Sequence, residues 1–365
     1  MPEGDTIYRA ARALQLALAG RVVVDFETVL AKLARQEDQA TLVGRVVERV
    51  EARGKWCLIY FSGGRSGEEA LILVTHMLMT GSWHLYRVGE RWRVPRSKMR
   101  VVVRTGSREQ GVGSREERSF ASANDTPPFA MEPQRAGHPG LVAAGTAGPS
   151  TSASPPLRMT KSEEGWEAVL FHAQVAEFHT ARSLERSSQV PKLGPDLLSG
   201  EFTVEAGVAR LRAYAAEHPE AEVGVVLLNQ RVMAGLGNVY KSEVTFAAGV
   251  NPWRAMRTVS AAEMERMVEF AVRYMKANVV DGSAEGIVTY GGLRRTTRAM
   301  RKEERLWVYG RQGQECRRCG ATVMMRKQGT QARSTYWCGG CQPWVGDGAV
   351  PVGNAVRGRR GKVGC

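Results

Sequence analysis

Nothing in this chain of 365 residues approaches the ~20 consecutive apolar residues that a membrane-spanning helix needs. The start of the chain also lacks the apolar core of a secretory signal. Acid is scarce, with 37 Asp and Glu against 51 Lys and Arg, for a formal net charge of +14. The first two absences argue against a helical membrane protein and a secreted one, and the third calls for a polyanionic partner, of which nucleic acid is the default. A soluble, cytoplasmic monomer is expected, associated with the nucleoid in a bacterium. Cysteine is sparse as well: of six, Cys57 and Cys365 stand alone and four form two tight pairs near the C-terminus. A secreted disulfide framework does not look like this.

Asp5 to Ala19 places Ile7, Ala11, Leu14 and Leu18 on one helical stripe that ends at Gly20. Short β-prone runs follow at Arg21 to Leu30, Leu42 to Glu51, Trp56 to Ser62, Leu71 to Met77, Ser82 to Val88 and Met99 to Arg104. Consecutive strands of this length predict an antiparallel sandwich. Periodicity then gives way to Gly, Ser, Pro and charge over about 105–164, read as a disordered insertion in a first domain spanning 1–185. Apolar pattern resumes at Trp166 to Phe178. Helical spacing marks a second domain, 190–295, with helices expected at Phe202 to Glu217, Val223 to Met233, Val239 to Ala248 and Ala261 to Ala277. A third unit covers 306–345, and 346–365 reads as a basic, solvated tail.

Cys316-x-x-Cys319 and Cys338-x-x-Cys341, separated by eighteen residues, form two knuckles that together offer four thiolates to a tetrahedral Zn²⁺. Disulfides conflict with a reducing compartment, and nothing points to the redox role of an iron–sulfur cluster. With all four positions filled by protein, the zinc is expected to be structural. Ala321 to Arg326 and Ser334 to Trp337 read as the strands of a hairpin between the knuckles. Upstream, Ala234-Gly-Leu-Gly-Asn238 separates two helical runs. Its glycines allow close backbone approach, and Asn238 opens a helix whose free amides suit an anion. Glycines that merely pack one helix on another give the same pattern.

The start of the chain carries its own chemistry. Removal of Met1 leaves Pro2 with a secondary amine of pKa near ~8, partly neutral and nucleophilic at physiological pH. An iminium formed from it keeps its positive charge and acidifies the neighbouring carbon. Glu3 supplies an acid or base one residue away. A small residue that simply permits Met removal is the plainer account of Pro2 alone.

Pro2-Glu3-Gly4, the Gly-Leu-Gly-Asn-Val-Tyr-Lys-Ser-Glu243 turn and Gln331-Ala-Arg-Ser-Thr-Tyr-Trp-Cys-Gly-Gly-Cys-Gln342 together resemble the formamidopyrimidine-DNA glycosylase and endonuclease VIII family, in three segments in the right order over 1–104 and 166–344. The resemblance implies an α+β multidomain fold: an N-terminal helix with an antiparallel β-sandwich, a helix–two-turns–helix domain, and a C-terminal zinc finger hairpin. Damaged double-stranded DNA would lie in the cleft between lobes, with one structural Zn²⁺ on Cys316, Cys319, Cys338 and Cys341. Pro2 is then similar to the family's Schiff-base nucleophile and Glu3 to its acid. Lys55 is similar to an essential lysine that meets DNA phosphate, and Asn238 and Arg333 to the pair that pinches phosphates beside the lesion. His76-Met-Leu-Met-Thr-Gly81 resembles the loop that fills the void left by a rotated-out nucleotide, with Met79 as its wedge. Thr6 departs from the family, many members of which carry an acid there, and the long insertion is absent from typical members.

Pro-Glu-Gly-Asp-Thr6, Arg53-Gly-Lys55 and Leu227 to Met233 look closer to the endonuclease VIII branch. This implies excision of oxidised pyrimidines followed by β,δ-elimination, with an oxidised-purine glycosylase of the same family as the alternative. A non-catalytic zinc protein that only grips nucleic acid is a rival of another class, and a zinc-stabilised interaction module is a third. A pure binder has no use for a free amine beside a carboxylate, and an interaction module would bind with little salt dependence.

Overall fold

A computed structural model describes residues 2–64, 67–108, 165–187, 190, 192–280, 296–297 and 305–346. The chain opens with helix α1 (Gly4–Leu18) and continues through β1 (Arg21–Thr28), α2 (Ala31–Gln39), β2 (Val47–Arg53), β3 (Trp56–Phe61), β4 (Leu71–His76), β5 (Ser82–Arg87) and β6 (Met99–Arg108). Strands β7 (Trp166–Phe171) and β8 (Val175–His179) and helix α3 (Ala181–Arg186) complete the first lobe. Two four-stranded antiparallel sheets, ordered β1-β6-β7-β5 and β2-β3-β4-β8, face each other as the sandwich the spacing predicted.

Strand alternation explains the packing. Cys57, Ile59 and Phe61 of β3 and Leu71 and Leu73 of β4 point into the core between the sheets. Leu58, Tyr60, Ile72 and Val74 point the other way and are covered by Leu184 of α3 and by Val190, so β3 and the first four residues of β4 are apolar on both faces. The predicted stripe of α1 holds: Ile7, Ala11, Leu14 and Leu18 are buried in the core between the sheets.

Helix α2 was not expected, and the strand predicted from Leu42 begins only at Val47. Within Ala31–Gln39 only Leu33 is buried, so the segment has no apolar stripe for a periodicity search to find.

The second lobe contains α4 (Val204–Glu217), α5 (Val223–Val226), α6 (Asn238–Ala248) and α7 (Ala261–Val280). Thr203 caps α4 by accepting from Ala206 N (3.2 Å), and Gly249 ends α6 in the left-handed conformation at φ 73°. The helix predicted over Val223 to Met233 is a single turn. Asn229 breaks it, its Oδ1 accepting from Arg231 N (3.0 Å) and its carbonyl from Val232 N (3.0 Å), a local competitor to the helical ladder. The hairpin of β9 (Val323–Gln328) and β10 (Arg333–Cys338) follows and packs on α6. Most of the insertion read over 105–164, most of the basic 281–302 segment and all but the first residue of the tail lie outside the described residues.

Candidate active site

The first residues of the chain dock onto the glycine turn of the second lobe. Gly4 N donates to Gly235 O (2.9 Å), and a Cβ on Gly4 would lie 2.8 Å from Gly235 Cα. Gly235 itself sits at φ 106°, where a side chain is strained. Gln230 holds this turn, accepting from Gly235 N (3.0 Å) and donating to Leu236 O (2.9 Å). The close approach that the Gly-x-Gly pattern permits is thus made, and its occupant is the N-terminal segment of the same protein, Glu3 and Gly4 at the start of α1.

Glu3 is fully buried at the N-terminus of α6. Its carboxylate accepts from Val239 N (2.8 Å) and Tyr240 N (3.3 Å), so the anion at this helix start is a side chain from the other lobe. Pro2 is buried beside it in the unprocessed chain. Thr6 Oγ1 lies 3.4 Å from Asp5 Oδ1, and both residues are buried.

A second link joins the lobes. Gly54 N, in the turn from β2 to β3, donates to Asp196 Oδ2 (2.6 Å), whose other oxygen accepts from Leu198 N (2.9 Å). Burial pushes the Asp196 carboxyl up from its usual range. The half-buried Lys55 follows Gly54 directly. Lys55 also acts on His76: burial first and then this nearby cation push the imidazole down to about 4. A neutral ring leaves Nδ1 free to accept from Leu78 N (3.0 Å), which helps hold Leu78 at the unfavourable φ of 49°. Met79 follows, 54% exposed at the tip of the loop.

The loop tip meets the hairpin. Arg333 Nη1 lies 4.0 Å from Met79 Sδ, while its Nε and Nη2 donate to Gln331 Oε1 at 3.1 and 2.9 Å. Asn238 is 6% exposed, and its Oδ1 has no hydrogen-bond partner among the described residues. Pro2 and Glu3 are therefore set against the turn that carries Asn238, and Met79 is set against Arg333. Lys55 lies next in the chain to Gly54, whose amide joins the lobes, and close to His76 at the base of the Met79 loop.

The Sγ atoms of Cys316, Cys319, Cys338 and Cys341 all lie within 4.8 Å of one another. The 316–341 and 319–338 separations of 3.8 and 3.4 Å exclude disulfide bonds and approximate the ~3.8 Å edge of a tetrahedron of thiolates around a metal. The donor set fits a metal ion. Gln342 fastens this unit to the second lobe, accepting from Cys338 N (2.9 Å) and donating to Val250 O (2.8 Å). Glu243 does the same from α6, accepting from the backbone amides of Trp307, Val308 and Tyr309 at 2.8–2.9 Å and from the Thr296 hydroxyl.

Asp196, Lys241, Glu243 and His76 carry no role in the sequence reading, although the last three lie inside the motifs that bear the resemblance. One signal was available for two of them: Lys241 and Glu243 lie in an eleven-residue helix otherwise free of charge, flanked by Val239, Tyr240, Val244 and Phe246. Charges so placed must be buried with partners.

The formamidopyrimidine-DNA glycosylase N-terminal domain matches residues 1–122, and the H2TH domain of formamidopyrimidine-DNA glycosylase matches 193–288. A probable endonuclease 8 2 of Streptomyces coelicolor is 31% identical over 364 residues, covering 99% of this chain and 100% of the relative. The chain belongs to the formamidopyrimidine-DNA glycosylase and endonuclease 8 family. A DNA-(apurinic or apyrimidinic site) lyase Nei2 of Mycolicibacterium smegmatis is 28% identical, covering 94% of this chain and 99% of the relative. Among solved structures, the Lactococcus lactis formamidopyrimidine-DNA glycosylase bound to abasic-site DNA superposes with a TM-score of 0.60 at 15% identity, covering 94% of this chain and 100% of that one. As a member of this family the protein is a DNA-repair glycosylase with AP lyase activity.

Proposed function

We propose that the protein excises oxidised pyrimidines from double-stranded DNA through a Schiff base at Pro2 and then cuts the strand on both sides of the lesion. The observation that carries the chemistry is the seating of Glu3 on the amides of Val239 and Tyr240, which sets a carboxyl group beside Pro2 at the junction of the lobes. With Met1 removed, the neutral Pro2 nitrogen attacks C1′ and the bond to the damaged base breaks. The Glu3 carboxylate takes the proton that the Pro2 nitrogen sheds on bonding to C1′ and passes it to the ring oxygen, so the bond from C1′ to that oxygen breaks, the sugar opens and the iminium forms. Loss of a C2′ proton expels the 3′ phosphate, and a second elimination expels the 5′ phosphate. Lys55, Asn238 and Arg333 grip the backbone, and Met79 fills the vacated stack. The pyrimidine preference rests on the resemblance of the N-terminal segment and the turn to the endonuclease 8 branch, supported by the names of the relatives above.

Excision rates on duplexes carrying thymine glycol, 5-hydroxycytosine or 8-oxoguanine test the substrate. The first two are expected to be cut at least about tenfold faster, a modest difference in transition-state binding of ~1.4 kcal/mol. Equal or faster release of 8-oxoguanine would reverse the assignment.

The metal on the four cysteines is proposed to be one structural zinc ion, which ties the knuckles together when bound. Cys316→Ser should lose the ion by elemental analysis and unfold the hairpin, because metal binding and folding share one free energy. An unchanged zinc stoichiometry would contradict this assignment. The protein is further proposed to act as a cytoplasmic monomer.

A further inference from the structure

Lys241 is fully buried in the middle of the motif that begins at Gly235, yet no carboxylate pairs with it among the described residues. A buried cation without an anion is costly, and proteins seldom keep one without a use for it. Its Nζ donates to Thr335 Oγ1 (2.6 Å) and to Ser334 O (3.3 Å), the two residues that follow Arg333 on β10. Thr335 passes the contact on, donating to Gln328 Oε1 (2.7 Å) on β9, and Gln328 Nε2 donates to Glu222 Oε2 (2.9 Å). Tyr336 N adds a bond to Ser242 Oγ (3.3 Å), so the strand is pinned to α6 on both sides of Thr335.

We propose that Lys241 is a positioning residue for lesion binding: it fixes the strand bearing Arg333 on the helix that seats Glu3, and it draws its counter-charge from the DNA phosphate held by Asn238 and Arg333. This rests on the proposed phosphate roles of Asn238 and Arg333. The charges that act on the amine come from every side and oppose one another: Glu3 before α1 and Glu222 before α5 favour the ammonium, whereas Arg333 of β10 and Lys327 of β9 oppose it. Two acids against two bases leave burial as the dominant influence, and it pushes the amine down to about 7. A phosphate arriving at Arg333 is the first unbalanced anion, and it raises the amine again. Binding of DNA above neutral pH therefore takes up a proton at Lys241, and affinity falls as pH rises through the value of the free protein.

The test is fluorescence anisotropy of the full, metal-loaded chain on a duplex with a tetrahydrofuran abasic site, from pH 6 to 9 at constant ionic strength. Wild-type Kd is expected to rise above pH 7, more steeply than that of Lys241→Arg, whose charge is permanent. Lys241→Met should bind about tenfold more weakly at pH 6, the ~1.4 kcal/mol scale of one charged hydrogen bond, and with a flatter profile. Comparing the three proteins on one duplex under the same conditions removes the pH effects that they share. Superimposable pH profiles for wild type and Lys241→Arg overturn the proposal, and this pair decides alone if Lys241→Met fails to fold. Equal Kd values for a folded Lys241→Met and wild type at pH 6 overturn it too. Failure of the wild type to prefer the abasic duplex over an undamaged one would overturn the phosphate reading and this inference together, whereas preference with identical profiles sinks the inference alone.

Discussion

Borohydride treatment of the processed protein on lesion-containing duplex will trap a covalent complex, and a chain that keeps a residue ahead of Pro2 will trap none. The difference is chemical before it is steric. A prolyl nitrogen inside an amide has no basic lone pair, so neither attack on C1′ nor iminium formation is open to it. Excision should fall by about 10³-fold or more, the scale on which loss of a covalent nucleophile is felt. Pro2→Gly, with Met1 removed, presents a primary amine in the same place and should still trap, because an imine reduces as an iminium does. Mass mapping of the adduct supplies the decisive result. Attachment at Lys55 or Lys241, or an adduct that survives N-terminal extension, would remove Pro2 from the mechanism.

The parts of this site that were legible in the sequence share a property: each is a contiguous motif whose chemistry is carried by residue type. Four cysteines in two knuckles converge because each knuckle is local and the hairpin between them, with Val323 opposite Cys338, closes the remaining distance. The amphipathic α1 and the alternating strands were legible because burial on a helix or sheet imposes a period. The joins between lobes were not. Nothing near Gly54 in the chain announces Asp196, 142 residues away, and nothing near Glu3 announces the amides of Val239 and Tyr240, since backbone donors have no residue signature. From the sequence the glycine turn suits either an anion at the start of the next helix or close packing of one element on another. The structure packs Glu3 and Gly4 there, an intramolecular partner that spacing could not reveal.

That close fit makes Gly237 a sensitive position outside the reacting groups. Its backbone, at φ −127° and ψ −163°, suits any residue, so Gly237→Ala introduces no conformational strain. The added methyl would nevertheless lie 2.5 Å from Glu3 Oε1 and press on the carbons behind it. Glu3 cannot retreat without giving up its bonds to Val239 N and Tyr240 N, and a buried carboxylate that loses such bonds loses about 1.5–3 kcal/mol for each. Two results follow. Stability should drop by about 2–4 kcal/mol, read as a lower midpoint in urea. Excision of a damaged base should fall by about 10²-fold or more, because an acid displaced by an ångström no longer meets the ring oxygen. Cleavage of a preformed abasic site should suffer less, since an open-chain aldehyde condenses with Pro2 without a ring to be opened. Glu3→Gln is expected to share this pattern of unequal losses, having lost the proton but kept the shape. An alanine variant with wild-type excision would mean that the carboxylate reaches its working position elsewhere, and that its seat on α6 is a resting contact broken when DNA enters the cleft.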